Sequence, residues 1–188
     1  MKKYLILVKH SLPEIAEDLP ANEWELSDEG RILARKLAVR LNGFRPELII
    51  SSVEPKAKQT AEIIAAEHDL ELQFIEGLHE HDRSKVGYLH RDQFQAAVCE
   101  FFEEPGRLIF GSETADACHA RFQQAVHSIL DQNFGKTVVI VAHGTVISLF
   151  VSRLTGISGW SLWNELALPS FIVVDMQTAA LIERENIL

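Results

Sequence analysis

Tyr4-Leu5-Ile6-Leu7-Val8-Lys9-His10 decides the fold: a short, apolar, β-rich run ends abruptly on two basic residues. Such a run, followed by a polar stretch holding Pro13 and Pro20, reads as a buried strand entering a surface loop. Downstream, Ser27 precedes Asp28-Glu29 and apolar residues recur at Ile32, Leu33, Leu37 and Leu41. That pattern predicts an N-capped amphipathic helix with acids at its positive end, closed by Asn42-Gly43. Leu48-Ile49-Ile50 then runs into Ser51-Ser52, and helical spacing resumes through Ala57, Thr60, Ala61 and Ile64.

Two further strands are predicted, Leu72 to Ile75 and Thr137 to Ala142, the second followed by a helical run from Gly144 through Leu154. Alternating strands and helices indicate right-handed βαβ units, so the expected architecture is α/β, a three-layer αβα sandwich around a mainly parallel sheet. Phe171 to Val174 and Ala180 to Glu183, flanking Asp175-Met176-Gln177-Thr178, are expected to form an edge hairpin. At 188 residues the chain reads as a single domain over 1–188.

Residues 77–113 break this rhythm: Gly87, Pro105, Gly106 and Gly111 interrupt helical pieces such as Arg91 to Phe102. The segment reads as an insertion over the sheet, a lid or specificity element, with Tyr88, Phe94, Phe102 and Phe110 as its apolar contacts. Plain hydrophobic packing explains the same residues equally well.

Composition narrows the function classes. No apolar run reaches the roughly 20 residues that span a bilayer, and no export signal follows Met1-Lys2-Lys3, so a cytoplasmic location is expected. A formal charge of −9 disfavours nucleic acid, whose binding relies on clustered Lys and Arg. Cys99 and Cys118 fall in helical segments without metal-ligand spacing and read as buried free thiols.

In a parallel sheet, ligands belong at the strand C-terminal ends. Of eight histidines, only His10 and His143 directly follow apolar strands there. Lys9 and Lys56 place positive charge beside them, which suits a phosphate dianion and also keeps His10 neutral and nucleophilic. His143-Gly144-Thr145 sits where a strand becomes a helix, so Gly144 and Thr145 can present backbone N–H groups to an anion. Glu80, just past the third strand, can protonate a leaving alkoxide. A different use of the same region is metal ligation by His79, Glu80, His81, Asp82 and His90.

Taken together these motifs resemble the histidine phosphatase superfamily, the phosphoglycerate mutase-like proteins. Leu7-Val8-Lys9-His10-Ser11 resembles its Arg-His-Gly signature, and Leu26-Ser27-Asp28-Glu29-Gly30 its Leu-Ser-x-x-Gly helix start. Ile50-Ser51-Ser52 through Lys56-Ala57-Lys58-Gln59-Thr60-Ala61 resembles the second-arginine motif, and Leu78-His79-Glu80 the proton-donor segment. Gly111-Ser112-Glu113 with Arg121, then Val141-Ala142-His143-Gly144, complete the match.

The resemblance implies that His10 is phosphorylated, Glu80 serves as acid and then base, and His143 binds phosphoryl oxygens, with no metal or other cofactor. The implied partner is a small phosphorylated substrate. Lys9 and Lys56 stand where the family has arginine, and Ser11 where it has glycine. Lysine keeps the charge but loses the planar fork, so each exchange is expected to slow catalysis roughly ten- to a hundredfold if one charge-assisted contact is lost. Ser11 either crowds the phosphate or supplies a donor; both remain open at this stage. A non-catalytic module binding a phosphorylated ligand, and a mutase-type phosphotransferase, are the alternatives within the same fold.

Overall fold

The computed structural model describes residues 4–83, 85–87 and 89–188; Tyr88, named above as a lid contact, lies outside them. The opening run is the strand Leu5–Lys9 (β1), buried along most of its length. It is joined by Leu48–Ser51 (β2), Leu72–Phe74 (β3), Val138–Ala142 (β4), Ser170–Asp175 (β5) and Ala180–Asn186 (β6). These form one sheet of order β3-β2-β4-β1-β5-β6. β3, β2, β4 and β1 run parallel, whereas β5 and β6 are antiparallel to their neighbours.

The helices are Asp28–Leu41 (α1), Pro55–His68 (α2), Arg91–Glu103 (α3), Ala115–Gln132 (α4), Gly144–Thr155 (α5) and Gly159–Glu165 (α6). The two faces of the sheet alternate strictly. Ile6, Val8, Ile49, Val139 and Val141 pack under Leu37, Leu41, Ala61 and Ile64 of α1 and α2. Leu5, Leu7, Ile50, Val138 and Ile140 pack on the other side with Phe122 of α4, Val146 and Phe150 of α5, Phe101 of α3 and Leu162 of α6. Burying both faces explains why the apolar runs of β1, β2 and β4 are continuous rather than alternating with polar residues.

Register places the chemistry. Leu7 lies opposite Ile140, and the ladder continues past the end of β1 as the His10 N–H donates to the Ala142 carbonyl at 3.0 Å. The two strand ends that carry His10 and His143 are therefore immediate neighbours at the centre of the sheet. Helix α1 begins as its sequence requires: the Ser27 hydroxyl accepts from the Gly30 N–H at 3.0 Å, a cap contributing about 1 kcal/mol. A side-chain carbon on Gly30 would lie 2.0 Å from the Leu12 carbonyl oxygen, so only glycine lets the loop after His10 close on this helix.

Several details differ from expectation. Helix α1 ends at Leu41 and turns through a short 3-10 segment, Asn42–Phe44, with Arg45 rather than Gly43 taking the left-handed conformation. Strand β3, at one edge of the sheet, stops at Phe74, although the Ile75 N–H still reaches the Ser51 carbonyl. The hairpin strands are longer than predicted, held at their turn by the Asp175 carboxylate accepting from the Gln177 and Thr178 N–H groups. Cys118 is buried, but Cys99 is only half-buried, since α3 buries just Val98 and Phe101. No described helix is long and apolar enough to cross a membrane.

Candidate active site

His10 and His143 stand with ring centroids 5.2 Å apart, both buried. His10 Nδ1 lies 2.8 Å from the Ser11 carbonyl, which fixes the proton on Nδ1 and leaves the Nε2 lone pair free. Burial, followed by His143 and Lys56, holds His10 well below the ordinary histidine value of 6.5, so the ring is neutral at physiological pH. His143 is held down likewise, chiefly by burial and then by Lys56. Its Nε2 sits 2.9 Å from Ser52 Oγ and 3.4 Å from Glu54 Oε1; the carboxylate makes Nε2 the protonated nitrogen.

Glu80 reaches this centre from the far end of β3. Its Oε1 accepts from the His81 N–H at 2.9 Å and its Oε2 from the Thr145 N–H at 3.1 Å, at the N-terminus of α5. Burial alone would raise its carboxyl, but Arg83, His143 and the two N–H donors outweigh it and hold Glu80 below the usual carboxylate value. The segment carrying it is clamped by Arg121, whose guanidinium donates to the carbonyls of Gly77, His79 and Glu80 and pairs with Glu113 at 2.6 Å. The Glu113 carboxylate in turn accepts the Asp82 N–H.

Lys9 Nζ donates to the Leu166 carbonyl at 2.7 Å, and burial brings its pKa down to about 8, partly offset by Glu80. A side-chain carbon on Gly144 would lie 3.1 Å from Lys9 Cε, so Gly144 makes room for this stem. Lys56 is buried and bound twice, to the Ala21 carbonyl and to Glu54 Oε2 at 2.7 Å. Ser11 is fully buried, and both its donors are engaged within the fold: its hydroxyl bonds the Gly30 carbonyl at 2.6 Å and its N–H bonds Thr60 Oγ1 at 3.0 Å. The hydroxyl thus ties the His10 loop to α1.

Sequence reasoning passed over Glu54. This buried carboxylate bridges the site, holding Lys56, approaching His143 and accepting the Glu80 N–H at 2.8 Å. Its signal was an acid just ahead of Pro55 at a helix start, within the motif that supplies Lys56. The histidine-rich stretch does not converge as a metal centre: among the described residues no group of three or more His, Cys, Asp or Glu could hold an ion. His81 instead packs its ring between Phe101 and Phe110, with centroids at 4.3 and 4.7 Å. Of the three described aromatic residues proposed for the lid, Phe94 borders the cleft, while Phe102 and Phe110 pack against the core.

That cleft, of about 1030 Å³, opens beside the site and reaches Glu54, Lys56 and Glu80. Residues 5–181 match the histidine phosphatase superfamily, branch 1. The chain belongs to that superfamily. It is 28% identical over 165 residues to a mitochondrial serine/threonine-protein phosphatase of Drosophila mojavensis, covering 80% of this chain and 50% of that one. It is 28% identical over 146 residues to a probable phosphoglycerate mutase of Salmonella paratyphi A, covering 72% of this chain and 66% of the other. The chain thus spans only half to two-thirds of the length of these relatives.

Among solved structures, phosphoserine phosphatase of Entamoeba histolytica superposes with a TM-score of 0.79 at 21% identity, covering 98% of this chain and 97% of that one. Mycobacterial glucosyl-3-phosphoglycerate phosphatase gives a TM-score of 0.75 at 20% identity, covering 97% and 96%. At this identity the likeness establishes the shared α/β fold.

Proposed function

We propose that this histidine phosphatase superfamily member is a metal-independent phosphatase that hydrolyses a small phosphomonoester through a phosphohistidine on His10. The observation that carries the reading is the central pair: a neutral His10 with Nδ1 anchored to Ser11 and Nε2 unengaged, 5.2 Å between ring centroids from His143. In this reading His10 Nε2 attacks phosphorus while the departing alkoxide takes a proton from Glu80. Water then attacks the phosphohistidine, giving its proton back to Glu80 and restoring free His10. Arrival of a dianion opposes the positive surroundings of Glu80 and raises its pKa, so substrate binding itself supplies the protonated acid.

His143 and the ammonium groups of Lys9 and Lys56 face the phosphoryl oxygens, with the α5 N-terminus at Gly144 and Thr145 adding positive potential. Ser11 contributes by fixing the loop. The two lysines give single-point contacts where a guanidinium fork gives two, so turnover is retuned downward rather than abolished. Within the segment 77–113, residues between His79 and Phe94 bring Glu80 to the site and line one side of the cleft, which supports a specificity role for them.

Glu54 favours one second reading. Because it neutralises Lys56 inside the pocket, a phospho-ligand-binding module without turnover is the competing function; intact ligand bound without any phosphohistidine would establish it. Phosphate release from an aryl phosphate in the presence of chelator, comparing the wild type with His10→Ala and trapping phosphohistidine in alkali, tests the proposal. Release and trapping that vanish in the variant are expected; activity that survives the substitution overturns the mechanism.

A further inference from the structure

The 1030 Å³ cleft, which reaches the site at Glu54, Lys56 and Glu80, is larger than a phosphoryl group and a three-carbon alcohol require, and falls at the upper end of sites that hold drug-sized ligands. Two of its walls carry apolar side chains: Leu12, Ile15 and Leu19 come from the loop after His10, and Val86, Leu89 and Phe94 from the facing segment. Ile15 and Leu19 are 57% and 45% exposed, so a ligand in the cleft can cover apolar surface on both. The loop is built rather than loose. The Trp24 indole N–H donates to the carbonyls of Ala16 and Leu19, and Pro13 bridges Leu26 in antiparallel fashion.

The charges bordering the cleft lean negative, which disfavours a second anionic group. Glu54, Glu76, Glu80 and Asp82 outnumber Lys56, Arg83 and Arg91. Of these bases, Lys56 is paired with Glu54, and Arg83 lies over the Phe94 ring at 4.6 Å. Glu14, Glu17 and Asp18 add further negative charge to the same loop. A carboxylated alcohol would meet repulsion here, whereas a hydrocarbon would shed water against six apolar side chains.

We infer that the cleft binds the alcohol portion of the substrate and that this portion is apolar and larger than serine or glycerate. The substrate class is a phosphomonoester of a hydrophobic alcohol. This rests on the phosphatase reading for the phosphoryl end alone; the apolar end is fixed by the cleft.

The test measures kcat/KM for ethyl, butyl and hexyl phosphate against phosphoserine, 3-phosphoglycerate and a phosphoserine peptide. Each methylene buried raises kcat/KM about three- to fourfold, so hexyl should exceed ethyl phosphate at least tenfold, and the carboxylated esters should fall below hexyl by as much. Ile15→Asp and Leu19→Asp should each collapse the hexyl-to-ethyl ratio. Ile32→Asp, on the exposed face of α1, should leave that ratio as it is. Equal turnover along the alkyl series, or preference for phosphoserine, 3-phosphoglycerate or the peptide, overturns the inference while the phosphatase reading stands. If no ester is turned over, the phosphatase reading fails, and calorimetric binding of hexylphosphonate against ethylphosphonate decides the cleft. Tighter hexyl binding supports the inference, and equal or absent binding overturns it.

Discussion

Glu54→Gln replaces the carboxylate of a buried ion pair with a neutral amide of the same size. Glu54 and Lys56 side chains are 8% and 6% exposed, with Oε2 and Nζ 2.7 Å apart. Removing one partner of such a pair strands the other charge and typically costs about 3–5 kcal/mol. Lys56 keeps the Ala21 carbonyl, and a glutamine oxygen can still accept the Glu80 N–H, which places the cost at the lower end, about 3 kcal/mol. For a chain of 188 residues that lowers Tm by roughly 6–12 °C.

The same substitution releases Lys56 for an anion. Phosphate should therefore bind the variant at least about tenfold more tightly, worth some 1.4 kcal/mol, and restore part of the lost Tm. Differential scanning calorimetry with and without phosphate reads both effects. A double change, Glu54→Leu with Lys56→Met, should regain most of the stability but none of the phosphate effect, because an apolar pair leaves no stranded charge. A Tm drop below about 2 °C for Glu54→Gln, with phosphate affinity unaltered, would refute the reasoning, since the pair would then be worth no more than a solvent-exposed one.

Gly30→Ala forces a methyl group to within 2.0 Å of the Leu12 carbonyl; about 1–3 kcal/mol or more of stability should be lost in urea unfolding, and phosphate release should fall because the His10 loop must shift. Arg121→Met removes the donors that hold the Gly77, His79 and Glu80 carbonyls; kcat should drop at least about tenfold with little change in KM, as expected when a proton donor is displaced but the binding surface is kept. Stability should decline as pH falls below 6.5: His10 and His143 are depressed in the folded state, so the unfolded chain takes up protons that the folded chain refuses. The loss approaches about 1.4 kcal/mol per pH unit for each histidine, and thermal scans of His143→Asn should show a shallower slope. Above pH 8 the Lys9 ammonium discharges; kcat/KM should fall there, and Lys9→Arg should move that limb upward.

The residues at strand ends and in loops were legible from sequence for a simple reason. Short apolar, β-branched runs such as Leu5 to Val8 and Val138 to Ala142 read as buried strands, and parallel strands present whatever follows them, here His10 and His143, at one edge of the sheet. The Leu-Ser-x-x-Gly stretch likewise encodes its own cap, Ser27, and the close approach that Gly30 permits. The sequence named Lys9, Lys56 and Ser11 as neighbours of His10, since each lies within a few residues of a strand end.

What each of those side chains does there was decided by groups distant in the chain. Ser11 bonds Gly30, Lys9 bonds Leu166, and Lys56 meets Ala21. Arg121 secures Glu80 from another helix. Glu54 acquires its bridging position only when β2, the Glu80 segment and the α5 start converge. Sequence patterning, which reports burial and local geometry, determined the sheet, the helices α1, α2 and α5 that follow its parallel strands, and the pair of histidines. The partner of each charge and the set of side chains that line the cleft were decided by tertiary structure, because hydrogen bonds and electrostatic shifts depend on distances that only folding sets.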